Sequence, residues 1–256
     1  MNQVFALKAF EDNYIWVIQN QSHCLIVDPG ESAPVIDYLN QQTQITPVAI
    51  LITHHHSDHV GGVQKLTQIY PNLKVYGPKD SPFTKTDYSL VDGQKIHFNE
   101  FNLSFDICHI PGHTLDHIAY YNDDWLFCGD TLFSVGCGRM FEGTASIFQH
   151  SLEKLRALSD DTLVFCAHEY TQANIRFALT IDTDNQTLLN HANKVKQLRQ
   201  NNQASLPTTL KLEKAINPFI RTHIASIQAQ VSSKWGQVVS EPIETFAALR
   251  ALKDRF

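Results

Sequence analysis

The sequence predicts an α/β domain followed by a helical one, and three observations predict it. Up to about Tyr170, short β-rich runs alternate with turn signals and helical patterns, whereas beyond it the patterning is helical alone. Glycine marks the same change: ten of the eleven glycines, from Gly30 to Gly143, lie in the first 143 residues, and only Gly236 lies beyond. The length of 256 residues is enough for one large domain or two smaller ones with a sizeable buried core. We therefore place a first domain at residues 1–172 and a helical one at 173–256.

The elements follow in order. Residues 5–18 form the first β-rich run and 24–27 (Cys-Leu-Ile-Val) the second, with helical spacing over 32–41. The uninterrupted apolar run 48–52 reads as a buried strand, and 60–70 as a helix. Strand character returns at 103–110, 118–121 and 125–127. Residues 146–158 place Ile147, Leu152, Leu155 and Leu158 close to one helical face before a last strand at 163–166. Helices are then expected at 171–181, 185–200, 223–235 and 242–252, the second carrying Leu188, Leu189, Ala192, Val195 and Leu198 on one stripe. No internal repeat or low-complexity stretch interrupts them.

Composition excludes several classes. With 43% hydrophobic and 18% charged residues the chain is far from the signature of disorder. No uncharged apolar run approaches the roughly 20 residues of a spanning helix, and Glu11 and Asp12 interrupt the place where a signal peptide would be apolar. The cysteines Cys24, Cys108, Cys128, Cys137 and Cys166 are odd in number and form no C-x-x-C pair, so a disulfide framework or zinc finger is not expected. A reducing, cytoplasmic setting follows, with no membrane partner. Residues 1–172 carry a formal charge of −11 and 173–256 one of +5, without any basic run, so a small anionic ligand is a better match to the basic segment than nucleic acid. No self-complementary apolar stripe is evident, and a monomer is expected.

The chemistry concentrates in histidine. Eleven of the thirteen fall in residues 1–172, the densest group being Thr53-His54-His55-His56-Ser57-Asp58-His59, directly after the apolar run 48–52. That is a strand end, where sites in α/β architectures form. In extended chain residues i and i+2 share a face, so His54 and His56 can converge on one metal while Asp58 and His59, on the following turn, reach toward another. His55 points the other way and is left out. His113, Asp130 and His168 each follow a strand-like segment and add to the donor set. Imidazole with carboxylate suits zinc, iron or manganese rather than calcium. Three or so ligands to each of two metals, with one bridging carboxylate, is the arrangement of a two-metal hydrolase.

These residues carry a resemblance. Thr-His-x-His-x-Asp-His, followed by Pro111-Gly112-His113-Thr114, Gly129-Asp130-Thr131-Leu132-Phe133 and Ala167-His168-Glu169-Tyr170-Thr171, resembles the metallo-β-lactamase superfamily. Within it the glyoxalase II (hydroxyacylglutathione hydrolase) family matches more closely, through 136–144 (Gly-Cys-Gly-Arg-Met-Phe-Glu-Gly-Thr), Asn217-Pro218-Phe219 and the ending 250–256. The resemblance implies an αβ/βα sandwich of two mixed β-sheets flanked by helices, joined to a C-terminal helical domain. It implies that His54, His56 and His113 hold one metal, and Asp58, His59 and His168 the other, with Asp130 bridging. Asp58 and Asp130 are the residues assigned a catalytic part, the nucleophile being a metal-bridging hydroxide. Asp28, in Val27-Asp28-Pro29-Gly30, is similar to an aspartate that supports the metal site, and read by itself a carboxylate before Pro-Gly is turn chemistry.

The implied reaction is hydrolysis of S-D-lactoylglutathione and other S-(2-hydroxyacyl)glutathiones to glutathione and a 2-hydroxy acid, the second step of methylglyoxal detoxification. The implied cofactors are two divalent metals, zinc first and iron or manganese as alternatives. Arg139, Phe141, Tyr170, Arg250 and Lys253 match positions that hold the glutathione portion. Phe141 can pack there but cannot donate the hydrogen bond of a tyrosine. The competing readings are another hydrolase or lactonase of the superfamily, a persulfide dioxygenase, and a non-catalytic metal-binding module.

Overall fold

In the computed structural model, which describes residues 1–256, the first β-rich run closes on itself as a hairpin. Strands β1 (Gln3–Ala9) and β2 (Asn13–Gln19) pair antiparallel, and the turn between them carries Phe10 at φ 49° with its amide bound to the Glu31 carboxylate at 2.8 Å. Strand β3 (His23–Val27) adds antiparallel to β2, and the chain then crosses over through α1 (Ala33–Gln41) to β4 (Thr46–Leu51). A short α2 (Ser57–Val60) and α3 (Val63–Ile69) lead to β5 (Lys74–Pro78), and β6 (Tyr88–Leu90) completes a six-stranded mixed sheet ordered β1-β2-β3-β4-β5-β6.

The parallel part of this sheet is covered on both faces, which is why 48–52 is apolar without alternation. One face packs Ile26, Ile50, Ile52 and Val75 against Val35 and Leu39 of α1 and Val63 and Leu66 of α3. The other meets a second sheet begun by β7 (Lys95–Phe98), β8 (Leu103–His109), β9 (Ile118–Tyr121) and β10 (Trp125–Gly129), successive antiparallel neighbours. Tyr120 shows how the two faces join: its ring is fully buried near Phe105, and its hydroxyl donates to the Ile52 carbonyl at 2.9 Å.

The chain continues through a two-stranded ribbon, β11 (Leu132–Phe133) and β12 (Gly136–Cys137), then α4 (Ala145–Arg156) and β13 (Leu163–Cys166). Helices α5 (Thr171–Ile181) and α6 (Gln186–Gln200) follow, then β14 (Thr208–Thr209), α7 (Leu210–Ile216), α8 (Ala225–Trp235) and α9 (Pro242–Asp254). Strand β14 pairs antiparallel with β13. Val135, from the turn of the ribbon, packs with Ile175, Ala178, Leu188, Val195 and Ile216 of the helices. Two sheets flanked by helices, with a helical C-terminal region, is the αβ/βα sandwich expected above. No helix is long and apolar enough to cross a membrane.

By contacts the chain forms two compact units. The first comprises Met1–His109 with Asp116–Asn122 and Leu126–Gly129; the second comprises Asp130–Phe256 with Ile110–Leu115 and Asp123–Trp125.

Several elements depart from the sequence pattern. The helix expected over 60–70 starts at Val63, because at Gly62 a Cβ would lie 2.6 Å from the Pro29 carbonyl oxygen and the chain there must stay in close contact with that turn. Strands β5, β6, β7, β11, β12 and β14 and helices α2 and α7 were not expected. Each is short, and in β7 only Ile96 and Phe98 face inward, too few for a period to stand out.

Candidate metal centre

In the first unit the site starts at the end of β3. Asp28 sits in left-handed backbone, φ 50°, a conformation aspartate tolerates better than most residues, and its side chain is buried. Its Oδ1 accepts the Thr53 amide at 2.8 Å, and its Oδ2 accepts the Thr53 hydroxyl at 2.7 Å and His59 Nδ1 at 3.0 Å. Gly30 lets α2 lie against this turn, since a Cβ there would fall 1.8 Å from the Asp58 carbonyl oxygen. The one-turn α2 then presents Asp58 and His59 together, with His59 Nε2 3.6 Å from Asp58 Oδ2, and Asn13 Nδ2 donates to the same carboxylate at 3.0 Å.

These bonds fix the imidazole tautomers. A carboxylate only accepts, so His59 carries its proton on Nδ1 and presents a lone pair at Nε2. The Thr53 hydroxyl gives its proton to Asp28 and therefore accepts from His54 Nδ1 at 3.1 Å, which leaves His54 Nε2 as the other lone pair. His56 Nδ1 lies 3.1 Å from that Nε2, and the His54 and His59 rings stand 4.0 Å apart between centroids. His54 is fully buried and stacks on His117 at 4.5 Å. His55, as its place in the extended segment implies, is turned elsewhere and pairs with Asp116 at 2.9 Å.

In the second unit Asp130, His113 and His168 come together. Asp130 Oδ2 lies 3.4 Å from His113 Nε2, and Asp130 Oδ1 lies 3.3 Å from His168 Nε2, so each oxygen of one carboxylate faces a different imidazole. His113 Nδ1 donates to the Arg139 carbonyl at 2.8 Å, again leaving Nε2 as the lone pair. At Gly138 a Cβ would fall 1.9 Å from the Asp130 carbonyl oxygen and 3.0 Å from His113 Nδ1, so only glycine fits this approach. The His168 ring stacks face to face on Tyr170 at 4.6 Å and 4°.

The residues expected to hold glutathione also lie in the second unit. Phe141 is exposed, its ring 5.2 Å from that of His113. The Arg139 side chain is 68% exposed and reaches within 4.0 Å of Asp254. Arg250, 4% exposed, already donates Nη1 to the Cys137 and Gly138 carbonyls at 3.0 and 3.3 Å and Nη2 to Asp254 at 2.9 Å, while its Nε is a buried donor with no partner. Lys253 lies over the rings of Phe177 and Phe256, each at 5.4 Å, and burial, with Arg250 and Arg176 adding repulsion, brings its pKa down to about 8. Burial pushes Cys24 up to about 12 and Cys137 to about 11, so neither thiol is a nucleophile at neutral pH.

Within each unit the donors fit divalent metal ions: imidazoles with a carboxylate, Nδ1 of His54 and His59 in the first unit and of His113 in the second being tied to acceptors, so that the neutral rings present Nε2. Sequence reasoning missed Thr53 and Asn13 as supports. Asn217 was visible only as part of a motif whose use the sequence leaves open.

The chain is similar to known proteins along its whole length. Residues 10–168 match the Metallo-beta-lactamase superfamily and residues 169–256 match Hydroxyacylglutathione hydrolase C-terminus. The chain is 50% identical to a hydroxyacylglutathione hydrolase of Aliivibrio salmonicida over 98% of each chain, and 46% identical to one of Nitrosomonas eutropha over the full length of both. Among solved structures it resembles ETHE1 from Myxococcus xanthus, with a TM-score of 0.66 at 21% identity over 99% of this chain and 98% of that one, a likeness of fold. The chain therefore belongs to the hydroxyacylglutathione hydrolase family of the metallo-β-lactamase superfamily.

Proposed function

We propose that this protein is a metal-dependent thioester hydrolase that converts S-D-lactoylglutathione, and other S-(2-hydroxyacyl)glutathiones, to glutathione and a 2-hydroxy acid. The observation that carries the reading is Asp130, whose two oxygens face separate imidazole nitrogens at 3.4 and 3.3 Å, as a carboxylate between two cations would. His54, His56 and His113 would hold one ion, and Asp58, His59 and His168 the other, with Asp130 shared. Zinc is the metal proposed, with iron or manganese as alternatives that the same donors accept. When bound, the pair supplies Lewis acidity and a water made nucleophilic near neutral pH.

The chain's own residues do the rest. Asp28, Thr53 and the Arg139 carbonyl hold the tautomers that point Nε2 inward, and a thiolate leaves without needing a general acid. Arg139, Phe141, Tyr170, Arg250 and Lys253 receive the glutathione portion, with Lys253 as the cation for a carboxylate. Residues 1–172 then form the catalytic domain, which also lends Arg139, Phe141 and Tyr170 to the substrate, and 173–256 the helical substrate-binding domain, in a cytoplasmic monomer.

Because the Lys253 pKa is lowered to about 8, its ammonium is charged below that pH and neutral above it. We expect kcat/KM to fall as pH rises through about 8, and Lys253→Met to raise KM about 10-fold at pH 7 and remove that limb of the profile. A profile unchanged by the substitution would take Lys253 out of the binding site.

The decisive assay is hydrolysis of S-D-lactoylglutathione by the purified protein before chelation, after it, and after metal restoration, with metal counted on the same sample. Chelator-sensitive hydrolysis with about two metals per chain is expected. A metal-loaded but inactive protein would overturn the substrate assignment and direct the search to other thioesters, lactones and persulfides.

A further inference from the structure

The segment from Asp130 to Arg139 is held by side chains that arrive from the helices. Asn217 Nδ2 donates to the carbonyls of Phe133 and Gly136 at 3.1 and 2.9 Å, and Asn174 Nδ2 donates to the Ser134 carbonyl at 3.0 Å. Arg250 takes the next two, Cys137 and Gly138. At the centre of the network is Glu213, fully buried: Oε2 accepts the Val135 amide at 2.8 Å and Asn217 Nδ2 at 3.0 Å, and Oε1 accepts the Thr208 hydroxyl at 2.8 Å. Val135 stands at φ 57°, a backbone conformation that a β-branched residue adopts only where its surroundings impose it.

A carboxyl buried among neutral donors is an expensive way to fill a core, and its use here is to fix one conformation. What that conformation positions lies at both ends of the segment. Asp130 opens it with its two oxygens toward His113 and His168, and Arg139 closes it with the carbonyl that orients His113. Resting on the reading of Asp130 as the carboxylate shared by two metals, we propose that Glu213 and Asn217 are positioning residues for the metal centre. They lock the ribbon β11–β12 so that the Asp130 carboxylate and the Arg139 carbonyl stand where the metal ligands need them.

The test uses the full chain with Glu213→Leu and Asn217→Ala, reading zinc affinity by titration against a competing chelator alongside kcat and KM. Glu213→Leu keeps much of the volume and removes both acceptor oxygens, leaving the Val135 amide without its acceptor. Zinc affinity at the weaker site is expected to fall about 10–100-fold, and kcat with it, while KM for S-D-lactoylglutathione stays within about twofold. Zinc affinity and kcat within about twofold of the parent, with only a lower thermal midpoint, would make both residues mere core supports and overturn the proposal. If both variants fail to fold, Asn174→Ala, which removes one donor from the ribbon, decides by the same readouts. A parent protein that binds two zinc ions without hydrolysing the thioester would sink the substrate reading alone, since the affinity comparison needs no turnover.

Discussion

Asp130→Ala is expected to lower turnover of the glutathione thioester on the order of 10³-fold and to reduce bound metal from two ions per chain toward one or none. The size of the effect follows from geometry. Each Asp130 oxygen faces a different imidazole Nε2, so one substitution removes a ligand from both proposed metal positions at once. Asp58→Ala, by contrast, removes a ligand from one position only and should leave the other loaded. Asp130→Asn keeps the shape and loses the charge, and is expected to fall between wild type and alanine. Metal counting with steady-state kinetics on the three variants checks this; an Asp130→Ala protein with two metals and full activity would exclude Asp130 from the shared position.

Arg250→Ala is expected to destabilise the protein by about 3 kcal/mol and to lower kcat as well as raise KM. Its guanidinium is 4% exposed and bonded to the Cys137 and Gly138 carbonyls, and a Cβ at Gly138 would meet the Asp130 carbonyl oxygen. Losing the guanidinium strands two buried acceptors and frees the backbone beside the metal centre. Arg250→Lys should not restore function, because an ammonium cannot reproduce the planar fork that reaches both carbonyls and Asp254. Urea midpoints and the split between kcat and KM separate the possibilities. A pure KM effect with unchanged stability would limit Arg250 to capturing the substrate carboxylate.

The two cations three residues apart on α9 thus part company in a way helical spacing does not reveal. Lys253 keeps its ammonium over aromatic faces, half-buried, whereas Arg250 lies beneath the ribbon. The same limit applies to the fold. The run 48–52 is legible because a strand covered on both faces is apolar throughout, and the stripe of α6 because Leu188 and Val195 must face one way. Strand β7, four residues long, leaves no such trace.

By itself the sequence determined the α/β-then-helical order, the donor chemistry of His54, His56, Asp58, His59, His113, Asp130 and His168, and the outward turn of His55. These follow from residue type and from periods of 2 and 3.6, which are local properties. Only the tertiary structure decided which nitrogen His59 and His113 present, because the acceptors that settle it lie far away in the chain: Asp28 is 31 residues from His59, and the Arg139 carbonyl is 26 from His113. It alone placed Glu213 against Val135, 78 residues apart, and Arg250 against Cys137, 113 apart. A hydrogen bond between distant segments imposes no spacing on either of them, so its partners become visible only once the chain has folded.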